Sequence, residues 1–272
     1  MIPLIQAFLS DKTMTKNKLL PLLLLPPLFT IFWFWIQQTN TVVFTYQELQ
    51  SLQEPLLPLL NVIASGEGDY NSVNRGYAGD SKSDWPQTNL GKAISEMTVG
   101  ELRAHQGGNN PSCWYKDIRG QADLYAVGRY QLIPCTLQLA TMKIQNLDIN
   151  ALYDQEMQDT LGVYLLLVKR PKIREYFVGF RSNHQQAGQE LAREFASVPA
   201  QFSNGSCERG QSYYCGKNGN AAHIAIKDID DAMKQVREKI QEDGSLIQLL
   251  DEKENLQTKI QRWWKLLTQG RK

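Results

Sequence analysis

The residue that most invites a chemical reading is Glu67, in the segment Ile63-Ala-Ser-Gly-Glu67-Gly-Asp-Tyr-Asn71. An apolar stretch of helical periodicity ends there, and a run rich in Gly, Asn, Asp and Ser begins. The C-terminal end of a helix carries partial negative charge, which disfavours another negative charge beside it. Partial burial in a cleft acts in the same direction. Both raise the pKa of a carboxyl group. A glycosidase needs such an acid, still protonated near neutral pH, to give its proton to the leaving oxygen. Taken alone, a glutamate at such a position is more often a solvated loop residue.

Other chemistries find less support. The histidines, His105, His184 and His223, show no H-E-x-x-H or related zinc spacing. There is no G-x-S-x-G elbow and no P-loop. Cys135, near an expected helix N-terminus where the dipole favours thiolate, makes the best cysteine–histidine pair with His184 or His223. A lone cysteine on an apolar helix is more often a core residue. A formal net charge of +1 gives no basic field of the kind that draws proteins onto nucleic acid, and no nucleic-acid motif is present. The expectation is an enzyme that needs no metal and no cofactor.

A second segment changes the weight of the first. Ala126-Val-Gly-Arg-Tyr-Gln-Leu-Ile-Pro-Cys-Thr-Leu137 follows further along the chain. It resembles the G-x-x-Q-[LI]-x-P-x-T signature of lytic transglycosylases. With Ser65-Gly-Glu67-Gly ahead of Gly128-Arg-Tyr-Gln131, the pattern is most similar to the phage lambda endolysin type of lysozyme-like muramidase. Gln158-Asp-Thr-Leu, Lys169-Arg-Pro, Leu191-Ala-Arg-Glu-Phe-Ala-Ser-Val198 and Gly210-Gln-Ser-Tyr-Tyr214 follow in matching order. The resemblance runs from about Leu56 to Val236.

The resemblance implies a mainly α, lysozyme-like domain of two lobes with a central glycan cleft. Its substrate would be the β-1,4 bond between N-acetylmuramic acid and N-acetylglucosamine in peptidoglycan, and Glu67 its acid. It implies substrate contacts by Tyr70, Arg129, Tyr130, Gln131 and Tyr214, with Tyr130 stacking on a sugar face and Gln131 bonding acetamido or hydroxyl groups. Core packing is the other reading of Tyr130, and a structural role that of Arg129. Tyr213 and Tyr214 resemble a cleft-side aromatic loop, or else pack against a Cys207–Cys215 loop. A second carboxylate would decide between hydrolysis and transglycosylation. Asp80 is the best candidate, with Asp69 and Glu101 behind it, and none lies in a firm signature. The family can work with one Glu, as acid and then as base while the muramic acid 6-hydroxyl closes an anhydro ring. A lytic transglycosylase is therefore favoured over a hydrolytic muramidase. The reading from another class is a non-catalytic peptidoglycan-binding or envelope scaffold protein that acts through its helical tail.

The elements that must position these residues read as short helices. Glu48–Ala64 carries Leu49, Leu52, Leu56, Leu60 and Ile63 on one side, although Pro55 and Pro58 weaken its first half. Thr98 and Glu101 form a capping-box pattern before a helix to His105. Helices are expected at Pro134–Met142, Asn150–Val168, Ile173–Phe180 and Gln186–Ala196, and no convincing set of strands emerges.

The ends differ from the middle. Residues 1–18 read as a cytoplasmic stretch. The apolar run 19–36, preceded by Lys12, Lys16 and Lys18 and ending near Trp33 and Trp35, reads as a transmembrane anchor, with a cleaved signal or a buried helix as alternatives. Its orientation would put the catalytic domain in the periplasm or cell exterior. A linker, 37–46, then leads to a catalytic domain, 47–240, and a C-terminal helical tail, 241–272. The tail packs on its own domain or serves self-association or a protein partner. Four cysteines fit an oxidising compartment, with Cys207–Cys215 and Cys113–Cys135 as candidate pairs and free thiols as the alternative.

Overall fold

The computed structural model describes residues 42–76, 83–108, 123–180, 183–217 and 219–253. The chain divides into two units, 1–42 and 43–272, and the description is of the second. It is mainly α. Its helices are α1 (Tyr46–Ser51), α2 (Gln53–Glu67), α3 (Trp85–Leu90), α4 (Val99–His105), α5 (Pro134–Lys143), α6 (Gln155–Tyr164), α7 (Pro171–Phe177), α8 (His184–Glu194) and α9 (Ile226–Asp243). A 3-10 turn occupies Ile94–Glu96, and a π-helical turn, Leu165–Lys169, extends α6. Two short strands, β1 (Val73–Asn74) and β2 (Ala126–Val127), pair antiparallel with Val73 opposite Val127.

Helix α2 is the axis of the unit. It begins anew after Leu52, so Pro55 falls in the first turn, where a missing N–H breaks no helical bond. Pro58 is tolerated one turn later. Leu56, Leu59, Leu60 and Ile63 are fully buried and meet α9, whose Ile229, Met233, Val236 and Ile240 form the stripe expected from their 3-4 spacing. Each such side chain contributes about 1.5–3 kcal/mol of burial free energy. Helix α9 stops at Gly244, whose left-handed backbone (φ 69°) supplies the C-cap.

The chain then re-enters a helical stretch, 245–253, that packs on the same unit. Leu246 and Leu250 are buried, and Lys253 pairs with Glu48 at 2.8 Å while lying over the Phe44 ring. The start of the expected tail is thus part of the packed body, and 254–272 lie outside the described residues.

Two local readings are corrected. The helix expected from Asn150 begins at Gln155, because Leu152 bridges Thr98, the Tyr153 N–H donates to the Met97 carbonyl at 2.8 Å, and Asp154 caps the Met157 N–H at 2.9 Å. The expected membrane anchoring of the protein, with its catalytic domain outside, is not supported: among the described residues no helix is long and apolar enough to cross a membrane. The run 19–36 itself lies outside those residues.

Candidate active site

Glu67 is the last residue of α2, so its carboxyl group stands at the negative end of a 15-residue helix. The backbone around it is shaped by two glycines. A Cβ on Gly66 would lie 2.7 Å from Ser197 Cβ and 2.8 Å from both Ser197 Oγ and Ile224 Cγ1. A Cβ on Gly68 would lie 2.6 Å from the Ser72 side chain. Only glycine lets the helix end nest this closely against the two segments.

Ser197 reaches the acid from far along the chain. Its N–H and its hydroxyl both donate to Glu67 Oε1, at 3.1 and 2.7 Å. Oε2 has no hydrogen-bond partner among the described residues. Burial raises the Glu67 pKa, and the charge of Glu194 adds to the rise. The two Ser197 hydrogen bonds and the charge of His223 oppose it without cancelling it.

The two sequence segments meet through the β-ribbon. The Tyr125 N–H donates to the Asn74 carbonyl at 2.8 Å and the Gly128 N–H to that of Ser72 at 2.7 Å. Gln131 sits beyond Gly128 with φ 47°, in the left-handed region. Its amide donates to the Gly128 carbonyl at 2.9 Å, and its Nε2 lies 3.7 Å from where a Gly68 Cβ would stand. Gln131 therefore flanks the residue next to the acid.

Tyr70, Arg129 and Tyr130 are gathered around one carboxylate. Asp159 accepts the Tyr70 hydroxyl at 2.9 Å, the Tyr130 hydroxyl at 2.7 Å and Arg129 Nη1 at 3.2 Å. Arg129 also donates to the Tyr70 hydroxyl and lies over its ring, 4.8 Å from the centroid. Gln158 ties the same loops, donating to the Tyr70 carbonyl and accepting the Arg129 N–H, each at 2.9 Å. Tyr130 is only 2% exposed and packs beside Gly162 and Leu60, which makes it a core residue rather than a surface for stacking sugars.

Glu194, which sequence reasoning did not single out, is the carboxylate whose charge reaches Glu67. Its side chain is only 5% exposed and is held by Lys169 at 2.5 Å and Arg170 at 2.7 Å, while Arg170 also pairs with Glu190 at 3.1 Å. The Tyr214 hydroxyl donates to the Arg193 carbonyl at 2.6 Å, within the loop closed by the Cys207–Cys215 disulfide. That disulfide spans 8 residues, a closure that stabilises by roughly 2–3 kcal/mol. Cys113 lies outside the described residues, and with it the expected pairing to Cys135.

The candidates for a second carboxylate fare as follows. Asp69 is exposed and closes its own turn, accepting from the Asn71 N–H at 2.8 Å and the Ser72 hydroxyl at 3.1 Å. Glu101 caps α4 at Thr98 and pairs with Lys92 at 2.8 Å, contacts that hold its carboxyl below the usual range. Asp80 lies outside the described residues. Of the two histidines considered as partners for Cys135, His184 is bound to Tyr176 at 2.9 Å and Asp230 at 2.7 Å.

No protein-family model, no curated protein and no solved structure matches this chain.

Proposed function

We propose that the protein cleaves the glycan strands of peptidoglycan at the bond between N-acetylmuramic acid and N-acetylglucosamine, with Glu67 as general acid and then base. The observation that carries this reading is the state of Glu67: a half-buried carboxyl at a helix C-terminus, its pKa raised, one oxygen held by Ser197 and the other open. A protonated, oriented carboxyl is what glycosidic bond cleavage requires. The glycan would lie in a cleft between two α-rich lobes, with Gln131 beside the acid as a polar contact.

The chemistry runs in two steps. Glu67 gives its proton to the bridging oxygen as the bond from C1 to that oxygen breaks. The carboxylate then takes the proton of the muramoyl C6 hydroxyl as that oxygen bonds to C1. Glu67 ends protonated, no water is consumed, and the product carries a 1,6-anhydro ring. Among the described residues, no candidate carboxylate stands free to act as a second one, which supports this route; Asp80 lies outside them. Asp69 and Glu101 are engaged in capping and turn contacts, and Glu194 is neutralised by Lys169 and Arg170.

The test is mass spectrometry of the products released from purified peptidoglycan by the full chain, with Glu67→Gln beside it. Products lighter by one water than those of hydrolysis, absent from the variant, are expected. Hydrated reducing ends would make the enzyme a muramidase. No product from a folded wild type would leave the site as a glycan-binding surface without catalysis.

A further inference from the structure

We propose that Ser197 is the positioning residue of this site: by giving both its N–H and its O–H to Oε1 of Glu67, it leaves Oε2 as the oxygen that carries and transfers the proton. The proposal rests on the glycosidase reading of Glu67. A carboxylic acid bears its proton on one oxygen, and an oxygen that already faces two donors is the poor place for it. With the two Ser197 contacts at 3.1 and 2.7 Å on Oε1, and no described partner on Oε2, the proton is assigned by geometry.

Ser197 is itself fixed. Its carbonyl accepts the N–H of His223 at 2.9 Å and of Ile224 at 3.3 Å, in the segment that leads into α9. The Val198 N–H closes a turn onto the Phe195 carbonyl at 3.2 Å, directly after α8. On the other side the missing Cβ of Gly66 makes room for it, since a methyl there would overlap both Ser197 Cβ and Oγ. The acid is thus oriented by a residue locked between α8 and α9, with its own preceding glycine shaped to receive it.

The same contacts act after the proton has left. Hydrogen bonds to a carboxylate are shorter and about twice as strong as those between neutral groups. Ser197 therefore stabilises the anion that Glu67 becomes, which keeps a half-buried acid able to release its proton and then serve as base. The charged groups acting on Glu67 are Glu194, at the end of α8, and His223, before α9. The first works against ionisation and the second, when protonated, with it.

The experiment follows the Glu67 carboxyl by NMR in the full chain labelled with carboxyl-13C glutamate, as wild type and as Ser197→Ala. Glu67 should titrate at higher pH in the variant. The alkaline limb of the pH–rate profile on peptidoglycan should move up with it, and kcat should fall about tenfold to a hundredfold with KM little changed. Should the alanine variant not fold, Ser197→Cys keeps the volume and substitutes a weak donor for a strong one, and the same titration applies. A folded variant whose Glu67 titrates where the wild type does would overturn the proposal. The two failures separate: glycan cleavage by Glu67→Gln removes Glu67 as the acid, whereas an unmoved titration with Glu67→Gln inactive removes the role of Ser197 alone.

Discussion

The Gly128 N–H donates to the Ser72 carbonyl at 2.7 Å, and this bond joins the loop after Glu67 to the turn that carries Gln131. The join depends on Gly128 having no side chain. Its φ is 75°, and a Cβ there would lie 2.4 Å from Gln158 Oε1 and 2.8 Å from the Tyr153 hydroxyl. Gly128→Ala therefore meets the left-handed backbone cost of about 1–2 kcal/mol and an overpacking cost of about 1–3 kcal/mol. Denaturant unfolding should show a loss of that summed size. A stability within 0.5 kcal/mol of the wild type, roughly the range of a neutral surface change, would mean that the turn is not held as described.

Arg129 belongs to the framework of the site by its contacts. Its side chain and that of Asp159 are both largely buried and paired at 3.2 Å, and Tyr70 and Tyr130 share the same carboxylate. Removing one member leaves the other's charge buried without its partner. Asp159→Ala is expected to lose about 3–5 kcal/mol of folding stability, as measured by denaturant midpoint and slope. Arg129→Lys, which keeps the charge but loses the planar fork over Tyr70, should also destabilise while leaving KM for peptidoglycan near the wild-type value. A raised KM with unchanged stability would return Arg129 to the role of substrate contact.

What could be read from the sequence was what local chemistry determines. The Thr98–Glu101 capping box is present, with its two reciprocal bonds at 3.1 and 2.8 Å. Pro134 opens α5, and the apolar stripe of α9 faces the core. The relations that build the site are of another kind. Ser197 and Glu67 are separated by 130 residues, and Asp159 and Tyr70 by 89. Ser197, Asp159 and Glu194 all lie in segments recognisable by sequence pattern, yet nothing local distinguishes a serine that will orient an acid from one that caps a turn. Tyr130 shows the converse. The resemblance implies sugar stacking by Tyr130, with core packing as the other reading, and Gly162 on α6 leaves a space that its ring fills. The choice between cleft and core is made by the facing helix.

The raised pKa of Glu67 has a consequence for stability that is independent of any substrate. Burial, with the Glu194 charge behind it, favours the protonated form in the folded protein. In the unfolded chain the group titrates near the ordinary glutamate value of about 4.3. Between that value and the raised folded value, the folded state binds more protons than the unfolded state. Stability contributed by this group is therefore fully present below the unfolded pKa and is lost as pH rises through the folded pKa. Glutamine mimics the protonated acid at every pH. Glu67→Gln should match the wild type in acid, become more stable than it as pH rises through this window, and hold a constant advantage above it. Thermal unfolding across a pH series reads this directly, since each kcal/mol moves Tm by roughly 2–4 °C in a chain of this size. An advantage that did not vary with pH, or a variant less stable than the wild type at high pH, would mean that Glu67 is solvated and ionised as an ordinary surface glutamate, and the acid would have to be sought elsewhere.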